Sequence, residues 1–328
     1  MDQRRDLRLL SVVVPLHNEQ ETLEELHRRV AEALAGERFE LILVNDGSSD
    51  ATEQIMERLT VVDPRVVGLS LARNFGHQAA LTAGLDHARG DAVVMMDGDL
   101  QDPPEVIVEM LAKWREGADV VCARREWREG ETWFKLATAR WFYRVFERLT
   151  GLDLEQSGDF RLIDRQSLDS LLTLRERNRF LRGMTKWIGG RQTSVSYRRD
   201  PRYGGETKFT LGRMVRFSLD AISSFSYVPL QFATLLGFAF SSIAFLCIPL
   251  VIVARVTGQF VPGVSSTIIA VLLLGGIQLI TVGLIGEYVG RIYDEVKQRP
   301  LYLVRHRLGS DAERDVPPAR WAEVERIA

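Results

Sequence analysis

The chain has 328 residues, a formal net charge of −2 and two cysteines, a size that suits one large domain or two modest ones. The charge balance gives no basis for a nucleic-acid-binding protein. Cys122 and Cys247, one in an expected strand and one in an expected membrane span, argue against a disulfide or a cysteine metal site.

The first 125 residues alternate apolar strands with helices. "LRLLSVVVP" is predicted as a strand, buried on both faces at Val12 to Val14, and Asn18 to Leu34 as a helix. "FELILVNDG" is the second strand, and a helix follows from about Ser49, a plausible N-cap. "RVVGLSLAR" is the third strand, before a helix over Gln78 to Ala88. "DAVVMMDGD" is the fourth, before a helix over Pro103 to Trp114 with proline in its first turn. "ADVVCARR" is the fifth. Continuous apolar strands alternating with helices predict an α/β domain with a mostly parallel sheet covered on both faces. Ligands of such sheets bind beyond the carboxyl ends of the strands. Those ends carry Glu19, Asp46, the "ARNFGH" stretch, the "DGDLQD" stretch and Arg124 with Arg125. No glycine-rich phosphate loop follows the first strand, which argues against a Rossmann dehydrogenase or a P-loop NTPase.

Five apolar residues run straight into Asp97 and Asp99. Two carboxylates at a strand end can meet on one hard cation, Mg²⁺ or Mn²⁺, with Gln101 adding an amide oxygen and a diphosphate completing the shell. Asp102, just before Pro103, is expected to cap the following helix. Asp46 is either a turn acid, as D-G pairs often are, or a base or ribose contact. Glu19 is either a first-turn helix acid or a nucleotide contact.

"PLHNE", "VNDGSSD", "ARNFGHQAA", "MMDGDLQDPPE", "SGDFRLIDR" and "RYGGETKF" occur in the order seen in family 2 inverting glycosyltransferases of GT-A fold. The chain most resembles the branch holding dolichyl-phosphate mannose synthase and the bactoprenol (undecaprenyl-phosphate) glucosyltransferases. The likeness covers roughly residues 8 to 225. His17 and Gly98 depart from it, where relatives often carry Tyr and Ala, but neither removes a carboxylate. The resemblance implies that Pro15, His17, Glu19, Val44 and Asp46 line a nucleotide pocket. Asp97, Asp99 and Gln101 would form the metal and diphosphate site. Arg124 would face phosphates, with Arg125 a weaker choice. Arg202 and Lys208 would clamp donor diphosphate or lipid phosphate, unless they are ordinary surface charge. Asp159 would lie near the acceptor as a candidate base, or would orient Arg161 or a sugar hydroxyl. A phosphate monoester acceptor has a second pKa near 6 and scarcely needs a base.

Charge vanishes further on. There is no Asp, Glu, Lys or Arg from Ala221 to Ala254 or from Val256 to Gly286, with Arg255 alone between. A bilayer core needs about 20 apolar residues as helix. Two transmembrane helices, about 227–254 and 264–287, are therefore expected to form a hairpin within residues 227–290. A catalytic domain (1–207) and a juxtamembrane amphipathic helix (208–226) would precede them, and a tail (291–328) would follow. Phe209, Met214, Phe217, Ala221 and Phe225 have the spacing of an interfacial helix. The aromatic and basic stretch "TWFKLATARWFYRVFERL" could meet lipid or a partner subunit, or be a core helix. Lys208, Arg213 and Arg216 before the spans, and Arg291, Lys297 and Arg299 after them, put both termini on the cytoplasmic side. The expected protein is an integral cytoplasmic-membrane enzyme that moves a hexose from a nucleotide diphosphate sugar to undecaprenyl phosphate. UDP-glucose is the first choice of donor, with GDP-mannose and UDP-N-acetylhexosamine as alternatives. A homo-oligomer, a flippase and a downstream glycosyltransferase are implied partners. Rival readings are a processive polysaccharide synthase, which lacks its Q-x-x-R-W signature here, and a non-catalytic membrane scaffold.

Overall fold

The structure, a computed structural model, describes residues 5–125, 159–198, 228–257 and 263–309. Arg202, Lys208, the amphipathic segment 208–226 and the aromatic stretch 132–149 lie outside these residues, as do the side chains of Arg125 and Arg255.

The elements alternate as expected: β1 (Leu10–Leu16), α1 (Leu23–Ala33), β2 (Phe39–Asn45), α2 (Thr52–Val62), β3 (Val66–Leu71), α3 (His77–His87), β4 (Ala92–Met95), α4 (Val106–Arg115) and β5 (Val120–Arg125). Then come β6 (Arg161–Asp164), α5 (Arg165–Thr173), α6 (Leu181–Trp187), β7 (Gln192–Tyr197), α7 (Val228–Val256), α8 (Val264–Val296) and β8 (Val304–Leu308). The eight strands form one sheet in the order β7-β5-β6-β4-β1-β2-β3-β8. β6 and β8 run against the other strands, so the sheet is mixed but mostly parallel.

Strand side chains alternate between two faces. Val12 and Val14 join Leu23 and Leu26 of α1, Met56 of α2 and Met110 and Trp114 of α4 in one core. Val13 and Val44 point the other way, onto α3, where Gly84 lets helix and sheet meet closely. A Cβ there would lie 2.2 Å from Val13 Cγ1 and 3.1 Å from Val44 Cγ2. All seven residues of β1 and of β2 are buried, which is why both read as continuous apolar runs.

Two local expectations are corrected. The start of α2 is held by Asp50, whose Oδ1 accepts the Thr52 amide at 3.0 Å, and not by Ser49. Asp102 does not cap α4. It is buried and accepts a hydrogen bond from the hydroxyl of Tyr197 on β7, so it ties the strand-four loop to the sheet edge.

The described residues fall into two units, one built on the sheet and one helical. In the helical unit, α7 and α8 have 29 and 33 residues. Leu273–Val296 is long and apolar enough to cross a membrane, and α7 carries a shorter apolar run, Ala233–Cys247. The segment expected as a tail contributes twice to ordered structure. α8 continues through it to Val296, and β8 then pairs with β3 as an antiparallel edge strand. Both cysteines are free, Cys122 buried and Cys247 exposed.

Gly84→Ala gains helix propensity, worth about 1 kcal/mol, but forces a methyl into two stiff valines, and overpacking of this kind costs about 1–3 kcal/mol. The thermal unfolding midpoint should fall. A midpoint equal to or above that of the parent would show that α3 sits further from the sheet.

Candidate active site

Strand order changes direction at β1, which has β2 on one side and β4 on the other, both parallel to it. The loops leaving β1, β2 and β4 at their carboxyl ends therefore diverge and leave a crevice. A cleft of about 330 Å³ lies there, lined by Pro15, His17, Glu19, Asp46, Asp97 and Asp99 among others. Six of the residues expected to bind nucleotide or metal thus come together. Val44 does not: it is fully buried one residue before Asn45 and packs toward Gly84. Gln101 and Arg124 are not among the lining residues. The Gln101 backbone amide donates to Asp99 Oδ1 at 3.1 Å, and Arg124 is exposed near the end of β5, with β6 between that strand and β4.

The cleft walls are stitched by backbone and side chain. Asp46 is buried, and its two oxygens accept the amides of Phe75 at 2.7 Å and Gly76 at 2.9 Å. It therefore shapes the loop between β3 and α3 from inside the cleft. Gly47, at φ +66°, lets the same turn pass close to that loop: a Cβ would lie 2.6 Å from the Asn74 amide nitrogen. His17 Nδ1 sits 3.1 Å from the Asp46 carbonyl. Asn18 Oδ1 accepts the Ser49 amide at 2.8 Å, and Thr52 Oγ1 accepts the Glu19 amide at 2.9 Å. Glu19 itself accepts from the Thr22 hydroxyl at 3.1 Å while its side chain borders the cleft.

The loop held by Asp46 brings in three residues that sequence reading did not single out: Asn74, Gly76 and His77. His77 opens α3 and places Nε2 3.5 Å from Asp97 Oδ1. That oxygen is buried and makes no hydrogen bond among the described residues. Burial pushes the Asp97 carboxyl up to about 6, against the pull of His77 and with the push of Asp159, Asp102 and Asp99. A buried carboxylate oxygen without a donor, in a group of acids, suits a cation. Among the described residues no three His, Cys, Asp or Glu side chains converge as a ligand set. The two carboxylates therefore fit an ion that takes its remaining oxygens from diphosphate and water, as Mg²⁺ commonly does.

Asp159 lies just before β6. Arg182, in the first turn of α6, closes on it with Nε on Oδ1 at 2.6 Å and Nη2 on Oδ2. Burial opposes ionisation, yet the Arg182 fork, with Arg161 and His77, holds the Asp159 carboxyl at about 2. Nothing local in "NRFLRG" marks Arg182 as a partner of Asp159. Only folding brings it 23 positions back to Asp159.

The model of glycosyl transferase family 2 matches residues 11–172. The uncharacterized glycosyltransferase YkcC of Bacillus subtilis is 46% identical over 308 residues, covering 93% of this chain and 95% of its own. The bactoprenol glucosyl transferase of Shigella phage SfII is 44% identical over 300 residues, covering 90% and 97%. Among solved structures, glucosyl-3-phosphoglycerate synthase of Mycobacterium tuberculosis, in complex with Mn²⁺, UDP and phosphoglyceric acid, is similar. It has a TM-score of 0.45 at 21% identity over 66% of this chain and 76% of that one.

The raised pKa of Asp97 fixes the sign of a pH effect. An unfolded aspartate titrates near 3.9, so between about 4 and about 6 the folded chain binds more protons. Stability of the metal-free protein should fall as pH rises through that window, by on the order of 1–3 kcal/mol. Asp97→Asn should flatten the dependence and raise the thermal midpoint in EDTA at neutral pH. An unchanged slope in the Asn variant would show that Asp97 is not a strained acid.

Proposed function

Because the chain belongs to glycosyl transferase family 2, we propose that it transfers a hexose, glucose from UDP-glucose, to the phosphate of an undecaprenyl-type lipid. One observation carries the catalytic part: an acid pair at the sheet's switch point, with a buried Asp97 oxygen that has no hydrogen-bond donor among the described residues. The choice of sugar and acceptor draws support from relatives named bactoprenol glucosyl transferases, 42–44% identical over 90% of this chain.

Asp97 and Asp99 would hold Mg²⁺ or Mn²⁺. Such an ion stabilises the negative charge that grows on the leaving diphosphate. Pro15, His17, Glu19 and Asp46 would form the nucleotide wall together with Asn74, whose Nδ2 lies 3.3 Å from the His17 ring, and His77 would stand beside Asp97. Arg124, Arg202 and Lys208 would carry phosphate oxygens, for which a guanidinium fork is well matched. Asp159 has a different task here from that of a base. A carboxyl held at about 2 is a weak proton acceptor at neutral pH, and a phosphate monoester is already largely deprotonated. It would instead seat Arg182, whose positive charge lies near enough to the acids to favour an approaching phosphate.

The fold supports a membrane hairpin. The chain leaves the sheet domain after β7 and re-enters the same sheet at β8, so any crossings between them must be even in number. With one helix able to span and a second of 29 residues before it, two crossings are the natural count. Both ends of the chain would then share the side where soluble nucleotide sugar is found. The lipid-linked product would pass to a flippase and a downstream glycosyltransferase.

Labelled sugar from UDP-glucose, GDP-mannose and UDP-N-acetylhexosamine, offered with polyprenyl phosphate, tests this directly. Lipid-linked label should form from UDP-glucose and be lost in EDTA. Label from another donor would correct the sugar, polymer would indicate a processive synthase, and no transfer from any donor would leave a scaffold. Asp159→Asn and Arg182→Gln test the seating role. Each should lower turnover by about ten- to a hundredfold, the worth of a charged hydrogen bond, and the double variant should be no worse than the weaker single. If Asp159→Asn alone stops turnover while Arg182→Gln leaves it near normal, the base role stands instead.

A further inference from the structure

Residues 174–180, between α5 and α6, run antiparallel beside α3. Arg175 meets Asp86 near the end of α3, with Nη1 on Oδ2 at 3.0 Å and Nη2 on Oδ1 at 2.9 Å. The Leu181 amide donates to Gln78 Oε1 near its start, at 3.1 Å. Arg179 lies between these anchors. It is 8% exposed, and its Nε, Nη1 and Nη2 are all buried without a hydrogen bond to any described residue.

A guanidinium in this position is an anomaly. Burial draws it down to about 10, against the attraction of Asp86, so it remains a cation at neutral pH. A buried charge is tolerated when paired and hydrogen-bonded, and costs heavily when it is not. Asp86 attracts it but is already occupied. Its oxygens take both Arg175 nitrogens and also the Tyr302 hydroxyl, at 2.8 Å. Glu176 attracts it too, without a hydrogen bond between them. The nearby acids therefore leave all three nitrogens of Arg179 without an acceptor.

We propose that Arg179 is the centre of an anion site, distinct from the acid cleft, that takes a phosphate-type oxyanion. A planar guanidinium presents its donors in parallel pairs along an edge, and two oxygens of a phosphate can accept such a pair, leaving the third nitrogen to a further oxygen of the site or to water. The site is bounded by α3, by residues 174–180 and by Tyr302. Tyr302 lies six residues beyond Val296, the last residue of the membrane-competent helix α8. The phosphate could therefore come from a lipid headgroup or from solution, and the experiment separates the two.

The full-length protein is held with saturating UDP and Mn²⁺, so that the acid cleft does not report phosphate, and at matched ionic strength. Its thermal midpoint is read against millimolar inorganic phosphate in detergent. It is then read in nanodiscs of phosphatidylcholine alone and with phosphatidylglycerol. The midpoint should rise by a few degrees in at least one arm and not respond in Arg179→Gln. The variant without added anion should be no less stable than the parent, because an unpaired charge has been removed. A rise with inorganic phosphate assigns a soluble ligand, and a rise with phosphatidylglycerol alone assigns a headgroup. Equal responses in parent and variant, or none in the parent, overturn the site. If Arg179→Gln does not fold, Arg179→Lys decides: it keeps the charge but loses the fork, so the response should shrink severalfold. An undiminished response overturns the proposal.

Discussion

Strand β1 holds β2 on one side and β4 on the other, and the acids of the cleft, Glu19, Asp46, Asp97 and Asp99, depend on that placement. The three strands are buried up to or next to their last residues, so their carboxyl ends deliver side chains to a floor with little water. A carboxylate there needs a specific partner. Asp46 finds two backbone amides, and Asp159 finds a guanidinium fork. Among the described residues Asp97 has an imidazole at 3.5 Å and no hydrogen bond to its buried Oδ1. Of the three, Asp97 is thus the acid with the least compensation among the described residues, and the one for which a cation is proposed.

Much of this was legible in the sequence for one physical reason. Buried parallel strands are written as unbroken apolar runs, and helices between them force their ends to one edge. The first five strands and the gathering of Glu19, Asp46, Asp97 and Asp99 follow from that alone. What escaped notice was non-local. Val44 is a pocket residue by the resemblance, but in the fold its side chain lies against Gly84 of α3. Asp102 looked like a cap because it precedes a proline, while its partner, Tyr197, is 95 positions away. β8 is short and carries Arg305, His306 and Arg307, so nothing local marks it as a strand. Its pairing with β3 spans more than 230 residues.

That late strand ties the end of the chain to the cleft. The carbonyl of Leu303 accepts the Ala72 amide at 2.8 Å, at the point where β3 gives way to the loop that Asp46 shapes. Tyr302 bonds Asp86 at the far end of α3, the helix that presents His77 to Asp97. His306 Nε2 lies 2.9 Å from Glu53 Oε1, and Glu53 also accepts the hydroxyl of Ser70 in β3. The stretch from Ala72 to Asp86 is therefore fastened at both ends by residues that follow α8. A family 2 glycosyltransferase built this way does not have a catalytic domain that is complete by residue 198. Its sheet is finished only by chain that has already passed through the helical unit.

The formal charge of −2 conceals how unevenly charge is balanced inside. Four arginines, Arg175, Arg177, Arg179 and Arg182, fall between the end of α5 and the first turn of α6. Arg175 is matched by Asp86 and Arg182 by Asp159, while Arg179, between them, has no hydrogen-bond acceptor among the described residues. The cleft has the opposite excess, with Asp97 and Asp99 both lining it and the half-exposed His77 3.5 Å from Asp97. Screening by solvent does little for Arg179, which is largely withdrawn from water. Moving Arg179 toward the acids would break the Arg175 and Gln78 anchors that fix its segment to α3. The two imbalances are thus kept apart by the same helix. They call for counter-charges of opposite sign, a cation on the proposed reading of the cleft and an oxyanion at Arg179.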